Sequence, residues 1–436
     1  MSTRVFMQQP KQKVRKRSMW VGMDFALLLS FIGLLLFGVV MVSSASVSVA
    51  DKNFGDAFYY GRRQLVFVLI GLFLAFALLR TPTWVLDKMG WVLLMLAYVL
   101  LALVLVPGVG KTVNGAQRWI DFGVITLQVS EFARLSLLVY LASYMVRRGD
   151  QVRNSLQGFI KPVALVGIAA LLLLMEPDFG AAAVLTATCL GMLFMAGARV
   201  WQFSACLLIA LAMGAVLILV SPYRVERLMA FLDPWGNAFG SGYQLTQSLI
   251  AFGSGGFNGL GLGGSVQKLF YLPEAHNDFV FAIIGEELGL LGVIVVLLTF
   301  GVLVQRILSV AAKALERGEE FSAYLCYSIA LWISAQVFIN TGVSMGMLPT
   351  KGLTLPLMSA GGSAIMAACL AMGMVLRVNF ENHVAVLQAR PSKTVKKSST
   401  KKVTETTPLD KEIKDQLSMQ ELEQLQSVNQ EANYAR

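Results

Sequence analysis

Long apolar runs separated by short polar segments repeat along most of the chain. Because a hydrocarbon layer about 30 Å thick takes roughly 20 helical residues to cross, the pattern predicts an all-α polytopic membrane protein with ten transmembrane helices. The chain is 56% hydrophobic and only 14% charged, which agrees with that class. The runs lie near residues 21–46, 64–80, 90–106, 128–146, 161–175, 179–197, 201–221, 278–305, 321–346 and 354–377.

The distribution of basic residues predicts the orientation of these helices. The segment before the first run is basic, with Arg4, Lys11 and Arg15 among its cations, and contains no acid. The positive-inside rule therefore places the N-terminus in the cytoplasm, and ten crossings return the C-terminus to the same side. The first run is as long as a full span, so we expect it to remain as a helix rather than to be cleaved as a signal peptide.

Three domains follow from this topology. We predict a basic cytoplasmic N-terminus at 1–20, a membrane domain at 21–380 and a disordered cytoplasmic tail at 381–436, which has too few apolar residues to form a core. The membrane domain has one large extracytoplasmic loop, at 222–277 between spans 7 and 8, and a shorter outer loop at 107–128. The formal net charge of +10 then reflects topology and anionic headgroups, and we expect no nucleic-acid partner.

The segment PEAHNDFVFAIIGEELG, residues 273–289, places Asp278 at the outer lip of the eighth span. An ionisable residue at membrane depth costs about 2.5–3.5 kcal/mol, so it needs a partner or a task. Small residues follow it along one helix face, so we expect the Asp278 side chain to point into the bundle; they are Ala282, Gly285, Gly289 and Gly292. Capping of the helix N-terminus is the alternative role. Glu286 and Glu287 lie deeper, and we expect them to bond to other helices.

A second charged pair is predicted at the same membrane level. Glu131 and Arg134 stand at i and i+3 in the first turns of the fourth span, so they share one helix face and can pair. A mutually neutralising bridge that positions helices is the structural interpretation of this pair. Contact with substrate is the functional one.

The chain offers little beyond carboxylates for catalysis. His276 and His383 are the only two histidines, so no Ser-His-Asp triad or histidine-rich metal site is available. One general base suffices where the substrate already carries a good leaving group such as pyrophosphate, and cations must then receive the departing phosphates. The outer loops supply such cations at Arg62, Arg63, Arg118, Arg224, Arg227, Lys268 and Lys351.

Four segments together make a family resemblance visible. The chain resembles the SEDS family of shape, elongation, division and sporulation proteins, and within it the cell-division members. The segments are VNGAQRWI at 113–120, SEFARLSLLVYLASYMVRR at 130–148, GSGGFNGLGLGGSVQKLFYLPEAHNDFVFAIIGEELG at 253–289 and GMLPTKGLTLPLMSAGGS at 346–363.

The resemblance implies a ten-span glycosyltransferase that polymerises lipid II into peptidoglycan at the division septum, on the outer face of a bacterial cytoplasmic membrane. The acid of the family's H-[TN]-D-F motif is here Asp278, which the resemblance implies is the catalytic base. The resemblance also implies a divalent cation (Mg or Mn), no organic cofactor, a class B penicillin-binding protein partner (FtsI) and other divisome proteins. No metal ligands are identified. The candidate substrate-binding residues are Glu131, Arg134, Arg118, Arg224, Arg227, His276, Lys351 and Gln244.

Two other functions remain open at this stage. A lipid II flippase would move the same substrate without bond chemistry, and a scaffold would only organise partners of the divisome. Carriers hold their key charges near the membrane midplane on broken helices, whereas Asp278 is predicted at the outer rim. That position favours chemistry at the membrane surface.

Overall fold

The computed structural model describes residues 23–113, 115–123, 126–350 and 352–389. Twelve helices and three short strands form within these ranges. The helices are α1 Phe25–Phe54, α2 Tyr59–Arg80, α3 Thr83–Val104, α4 Val129–Asn154, α5 Leu156–Met175, α6 Phe179–Met195, α7 Val200–Leu219, α8 Pro222–Leu232, α9 Tyr243–Gly255, α10 Val280–Glu316, α11 Glu320–Ser344 and α12 Gly362–Ala389. The predicted N-terminal domain and nearly all of the predicted tail lie outside the described residues.

Each of the ten predicted apolar runs corresponds to one helix. In the described part of the chain, nine helices are long and apolar enough to cross a membrane, and α6, with 17 residues, is a shorter apolar helix. The chain is therefore a multi-pass membrane protein with a helical fold. The fifth and sixth runs form two separate helices, because Asp178 caps the start of α6 by accepting a hydrogen bond from Ala181 N at 3.2 Å.

The helices differ in how much of their surface the bundle covers. The apolar stretch of α4 is 83% buried, whereas that of α7 is 6% buried. Gln202 is the one residue of α7 that is buried, and most of the helix surface exposes apolar side chains. Such a helix suits an environment of lipid.

The segment predicted as an outer loop at 107–128 contains a small antiparallel sheet, which the all-α prediction did not include. Its strands are β1 Gly110–Val113, β2 Ala116–Asp121 and β3 Thr126–Gln128, in the order β1-β2-β3. Trp119 pairs with Lys111 on one side and Gln128 on the other. The strands are too short for an alternating pattern to stand out in the sequence, but their pairing fixes the position of Arg118 beside the helix ends.

The helix α10 breaks at Gly289. This residue has φ +63° and ψ −161°, a conformation that is essentially restricted to glycine. A break leaves backbone groups of the helix without intrahelical partners. The glycine-rich loop after α9 supplies new ones through four hydrogen bonds: Leu260 N to Glu286 O at 3.0 Å, Gly261 N to Glu287 O at 2.9 Å, Leu290 N to Gly256 O at 3.0 Å and Leu291 N to Phe257 O at 3.3 Å.

The small-residue face of α10 lets another helix approach closely, as predicted. Gly285 packs against Phe252 of the short helix α9. Gly289 belongs to the break, where any side chain would meet the backbone of Gly259 and Phe257. The loop glycines therefore serve close backbone approach, as their density in the sequence indicates.

The two glutamates of α10 are buried but satisfied. Glu286 accepts hydrogen bonds from the Ser265 hydroxyl and from Val266 N at 3.0 Å in the loop. It also accepts one from Ser254 of α9 at 3.5 Å, the bond to another helix that was predicted. Glu287 bonds to another helix as predicted, accepting from Ser44 of α1 at 2.7 Å, and it pairs with Lys268 at 2.8 Å. Lys268 is buried in this pair, which removes it from the cations available to a phosphate.

The last helix runs past the predicted end of the membrane domain at residue 380. Arg377 and Glu381 pair across one turn at 2.7 Å. Asn382 donates to Val310 O of α10 at 2.9 Å, and its own carbonyl accepts from Arg317 at 2.6 Å. These polar contacts extend α12 beyond the apolar run, which hydropathy alone does not predict. The compact bundle ends at Val386.

We expect Gly289→Ala to destabilise the bundle. A side chain at this position would cost roughly 1–3 kcal/mol for the backbone conformation alone, and it would also clash with the loop backbone. The matched control is Gly301→Ala, on the same helix, where an added methyl group meets nothing within 4 Å. Thermal unfolding of the purified protein should show a lower Tm for Gly289→Ala alone, and equal Tm values for the two variants would refute the structural role of the break.

Candidate active site

One cavity of about 530 Å³ brings together side chains from several segments that are distant in sequence. Strand β2, the start of α6, helix α8, the segment before α10 and the segment after α11 form its wall. Six of the predicted site residues line it: Asp278, Glu131, Arg118, Arg224, Arg227 and Gln244. Residues separated by more than 150 positions in the sequence thus face one space.

Asp278 is held in this wall by its backbone. The buried side chain of Asn340, on α11, donates to Asp278 O at 2.9 Å and to Leu353 O at 2.6 Å. This bidentate contact ties the segment before α10 to the segment at 352–354. Gly352 leaves room for the carboxylate, since a methyl group there would come within 2.9 Å of Asp278 Oδ2.

The surroundings of Asp278 favour its protonated form. The carboxyl group reaches the cavity but is enclosed by protein on its other sides. Burial raises its pKa to about 7, and the nearby charge of Glu274 adds to the rise, while Arg118 and Arg227 oppose it. A carboxyl group with a pKa near neutrality can accept a proton from a substrate and release it again.

Helix capping does not explain this aspartate. The residue at the N-cap of α10 is Phe279, and no side chain caps that helix end by a hydrogen bond. Among the described residues, the Asp278 carboxylate has no ion pair within 4.0 Å, in contrast to Glu287. The capping alternative therefore lacks support, and the carboxylate remains available to a ligand.

Two arginines on α8 face the cavity without a carboxylate partner in the described part of the chain. Arg224 donates to Leu217 O at 2.8 Å, and Arg227 donates to Thr350 O at 3.4 Å. Each of these bonds uses one of the five N–H groups of a guanidinium. The remaining donors can bind an anion, and a planar guanidinium suits phosphate oxygens.

Arg118 holds a turn that the sequence analysis missed. Its guanidinium donates to Glu176 O at 3.1 Å and to Pro177 O, and it lies 3.9 Å from the Asp178 carboxylate. Asp178 lines the cavity. The Glu176 side chain is fully buried, and burial, reinforced by the charge of Asp178, raises its pKa to about 8. Both acids stand at the lip of a span like Asp278, which is the signal that could have identified them.

The predicted Glu131–Arg134 pair forms, with Arg134 behind the cavity wall. Glu131 lines the cavity, and its carboxylate lies 2.5 Å from the buried Arg134 guanidinium. Arg134 also donates to Gln336 of α11 at 3.1 Å and lies over the Trp332 ring at 5.0 Å. Gln336 in turn donates to Thr354 O at 2.9 Å, so the pair braces the segment that carries Gly352.

The other predicted residues have different positions. Gln244, at the start of α9, lines the cavity. His276 lies outside the cavity lining, with its ring 4.7 Å from that of Tyr60, and burial lowers its pKa, so it is uncharged at neutral pH. Lys351 is outside the described residues. Arg62 pairs with Asp56 at the surface.

The described residues do not present a ready metal site. No group of three or more His, Cys, Asp or Glu side chains among them is arranged to hold a metal ion. Mg²⁺ is often held by one or two carboxylates and completed by substrate phosphates and water. The expected divalent cation therefore stays a prediction, and the chemistry below uses only side chains of this chain.

Comparison with known sequences gives consistent matches. The profile of the cell cycle protein family FtsW/RodA/SpoVE matches residues 25–384. A probable peptidoglycan glycosyltransferase FtsW of Thioalkalivibrio sulfidiphilus is 53% identical over 359 residues, covering 82% of this chain and 90% of the relative. Its counterpart in Coxiella burnetii is 51% identical over 360 residues, covering 82% and 96%.

Solved structures share the fold. A chain from a peptidoglycan synthase complex, described for its coordination of polymerization and crosslinking, aligns with a TM-score of 0.69 at 27% identity, covering 84% of this chain and 99% of that one. The rod shape determining protein RodA of Thermus thermophilus aligns with a TM-score of 0.62 at 28% identity, with the same coverage.

We expect the carboxyl group of Asp278 to titrate near pH 7 in the intact protein. Infrared difference spectra along a pH titration should show a carboxyl band that Asp278→Asn removes and that Asp233→Asn, at an exposed acid outside the cavity, leaves in place. Glu274→Gln removes a nearby negative charge, so it should move this titration to lower pH. Arg227→Gln should move it to higher pH.

A titration of Asp278 near the ordinary value of about 4 would contradict the described environment. So would shifts of equal sign in Glu274→Gln and Arg227→Gln.

Proposed function

The chain belongs to the FtsW/RodA/SpoVE family of cell cycle proteins, and we propose from this premise that Asp278 is the general base of its glycosyl transfer. The protein is a peptidoglycan glycosyltransferase of septal wall synthesis, in keeping with relatives about 50% identical over most of the chain. The observation that carries the role of Asp278 is its position: an enclosed carboxylate with no ion pair to a described residue lies in a cavity with two arginines that have no described carboxylate partner.

The reaction that suits this cavity is a single displacement at a sugar carbon. Asp278 takes the proton of the acceptor sugar hydroxyl as its oxygen attacks the anomeric carbon of the donor. The bond from that carbon to the polyprenyl pyrophosphate breaks, and its electron pair leaves with the pyrophosphate. One displacement inverts the configuration, and a carboxylate nucleophile is not needed.

Arg224 and Arg227 are suited to receive the leaving group. They stand one turn apart on α8, where both can bind neighbouring phosphate oxygens. Charge on the pyrophosphate grows as the bond breaks, so fixed cations stabilise the transition state more than the ground state. Arg118 is engaged with the 176–178 turn, and we assign it a positioning role.

The substrate that fits these features is lipid II. Ile218 of α7 and Leu228 of α8 give the cavity an apolar side, and α7 is exposed to lipid, so a polyprenyl chain can remain in the membrane while its headgroup enters. We expect the cavity to open on the outer face of the bacterial cytoplasmic membrane, at the division septum, with both termini in the cytoplasm.

A crosslinking partner is expected as well. The similar chain in the peptidoglycan synthase complex comes from an assembly that coordinates polymerization with crosslinking. For this chain we propose a class B penicillin-binding protein (FtsI) in that role, within the divisome. A divalent cation, Mg or Mn, would arrive with the pyrophosphate and take most of its ligands from phosphate and water.

We expect Asp278→Asn to lower the rate of glycan formation by about 10²–10⁴-fold, the usual contribution of a general base. The assay uses the purified full chain with lipid II, a divalent metal and the penicillin-binding partner, and it follows polymer length on gels. Asp233→Asn is the matched control and should keep the wild-type rate.

Two results would reject the proposal. Full activity of Asp278→Asn, with an unchanged Tm, would show that Asp278 is not the general base. A wild-type protein that makes no polymer but moves lipid II between the leaflets of proteoliposomes would instead support the flippase function.

A further inference from the structure

A second cavity, of about 580 Å³, lies between α3, α4 and α5, away from the active site. Three cations, three aromatic rings and a few aliphatic side chains line it. They are Trp91, Tyr140, Tyr144, Arg147, Arg148, Lys161, Ala164, Leu165 and Ile168. Nothing in the glycosyl transfer uses this groove.

The groove is at the opposite end of the bundle from Asp278. Arg147 lies about 16 residues further along α4 than the cavity residue Glu131, which is about 24 Å at 1.5 Å per residue. That separation approaches the thickness of a hydrocarbon core. The concentration of Arg and Lys at this end indicates the cytoplasmic side, so the groove is expected at the inner headgroup level.

Two of the three cations have no acidic partner in the described part of the chain. Arg147 is engaged, since it contacts the Ser143 hydroxyl and lies 3.9 Å from the Asp87 carboxylate. Arg148 and Lys161 are exposed and make no ion pair with a described residue. Arg148 sits at a kink of α4, with φ −131° and ψ 16°, between the two arms of the helix.

The remaining wall resembles a lipid-facing surface at a headgroup boundary. Trp91 is 54% exposed and packs edge-on against Tyr140 at 5.1 Å. Ile168 is 49% exposed on the α5 side. Tryptophan and tyrosine are enriched where lipid meets water, and the aliphatic residues continue the groove towards the membrane interior.

We propose that this groove binds an anionic phospholipid of the inner leaflet, with the lipid phosphate between Arg148 and Lys161 and an acyl chain along Leu165 and Ile168. Charge complementarity selects the headgroup, because unpaired cations between transmembrane helices attract acidic lipids. The apolar side of the groove accommodates an acyl chain of the lipid. Free phosphate has no such chain and cannot use this side. Tyr144 is already satisfied by its bond to Gly158 O at 2.9 Å, so the cations carry the recognition.

Native mass spectrometry of the full chain in detergent tests the site. The protein is titrated with dioleoyl phosphatidylglycerol, with dioleoyl phosphatidylcholine and with inorganic phosphate. We expect phosphatidylglycerol to bind at least about tenfold more tightly than phosphatidylcholine, because the two basic residues attract its net negative charge. Inorganic phosphate should not displace it.

The double variant Arg148→Gln/Lys161→Gln should lose this preference. Its matched control is Arg199→Gln/Lys313→Gln, which removes the same charge from two exposed residues that have no ion pair with a described residue and lie outside the groove. Ala164→Trp fills the groove and keeps every charge, so it should also weaken phosphatidylglycerol binding. This variant tests the site even if the double variant fails to fold.

Four outcomes would overturn the proposal. Equal binding of the two phospholipids would exclude charge recognition. An equal loss of the phosphatidylglycerol preference in the control double variant would show that the preference comes from general surface charge. Displacement by inorganic phosphate, or unchanged lipid binding in Ala164→Trp, would show that the groove does not hold the lipid.

Discussion

Burying a carboxylate away from water costs free energy, and the arrangement of the charged residues in this bundle follows from that cost. Glu287 meets that cost with Lys268, and Glu131 meets it with Arg134. Asp278 has no such partner among the described residues, and burial raises its pKa to about 7 instead. An unpaired, enclosed acid is unfavourable for the fold, and such acids cluster at functional sites, which supports the proposed role of Asp278 in the reaction.

The residues around Asp278 hold it in a defined position. The glycine-rich loop fills the break at Gly289, so that the first turns of α10 pack within the protein instead of in lipid. Asn340 then joins the Asp278 backbone to that of Leu353, and Gly352 leaves space for the carboxylate. Asp278 is thus held by backbone contacts, which leave its side chain available to the proposed substrate.

Sequence reasoning predicted those features that depend on local pattern. Apolar runs predicted the spanning helices, and the i, i+3 spacing predicted a pair for Arg134. Its contact with Gln336, 202 positions away, depends on how α4 and α11 pack, which no local pattern reveals. The buried acids Glu176 and Asp178 were missed because their proximity to Arg118 depends on a strand that is distant in sequence, and only Asp178 lines the cavity.

The pH dependence of kcat/KM for glycan polymerisation tests the central claim most directly, because it reports the pKa of the base in the free enzyme. With Asp278 as a base of pKa about 7, the protonated form cannot accept the acceptor's proton. The value should therefore fall about tenfold for each pH unit below 7 and level off above it. A value independent of pH down to about 5, in a protein that remains folded, would contradict the assignment.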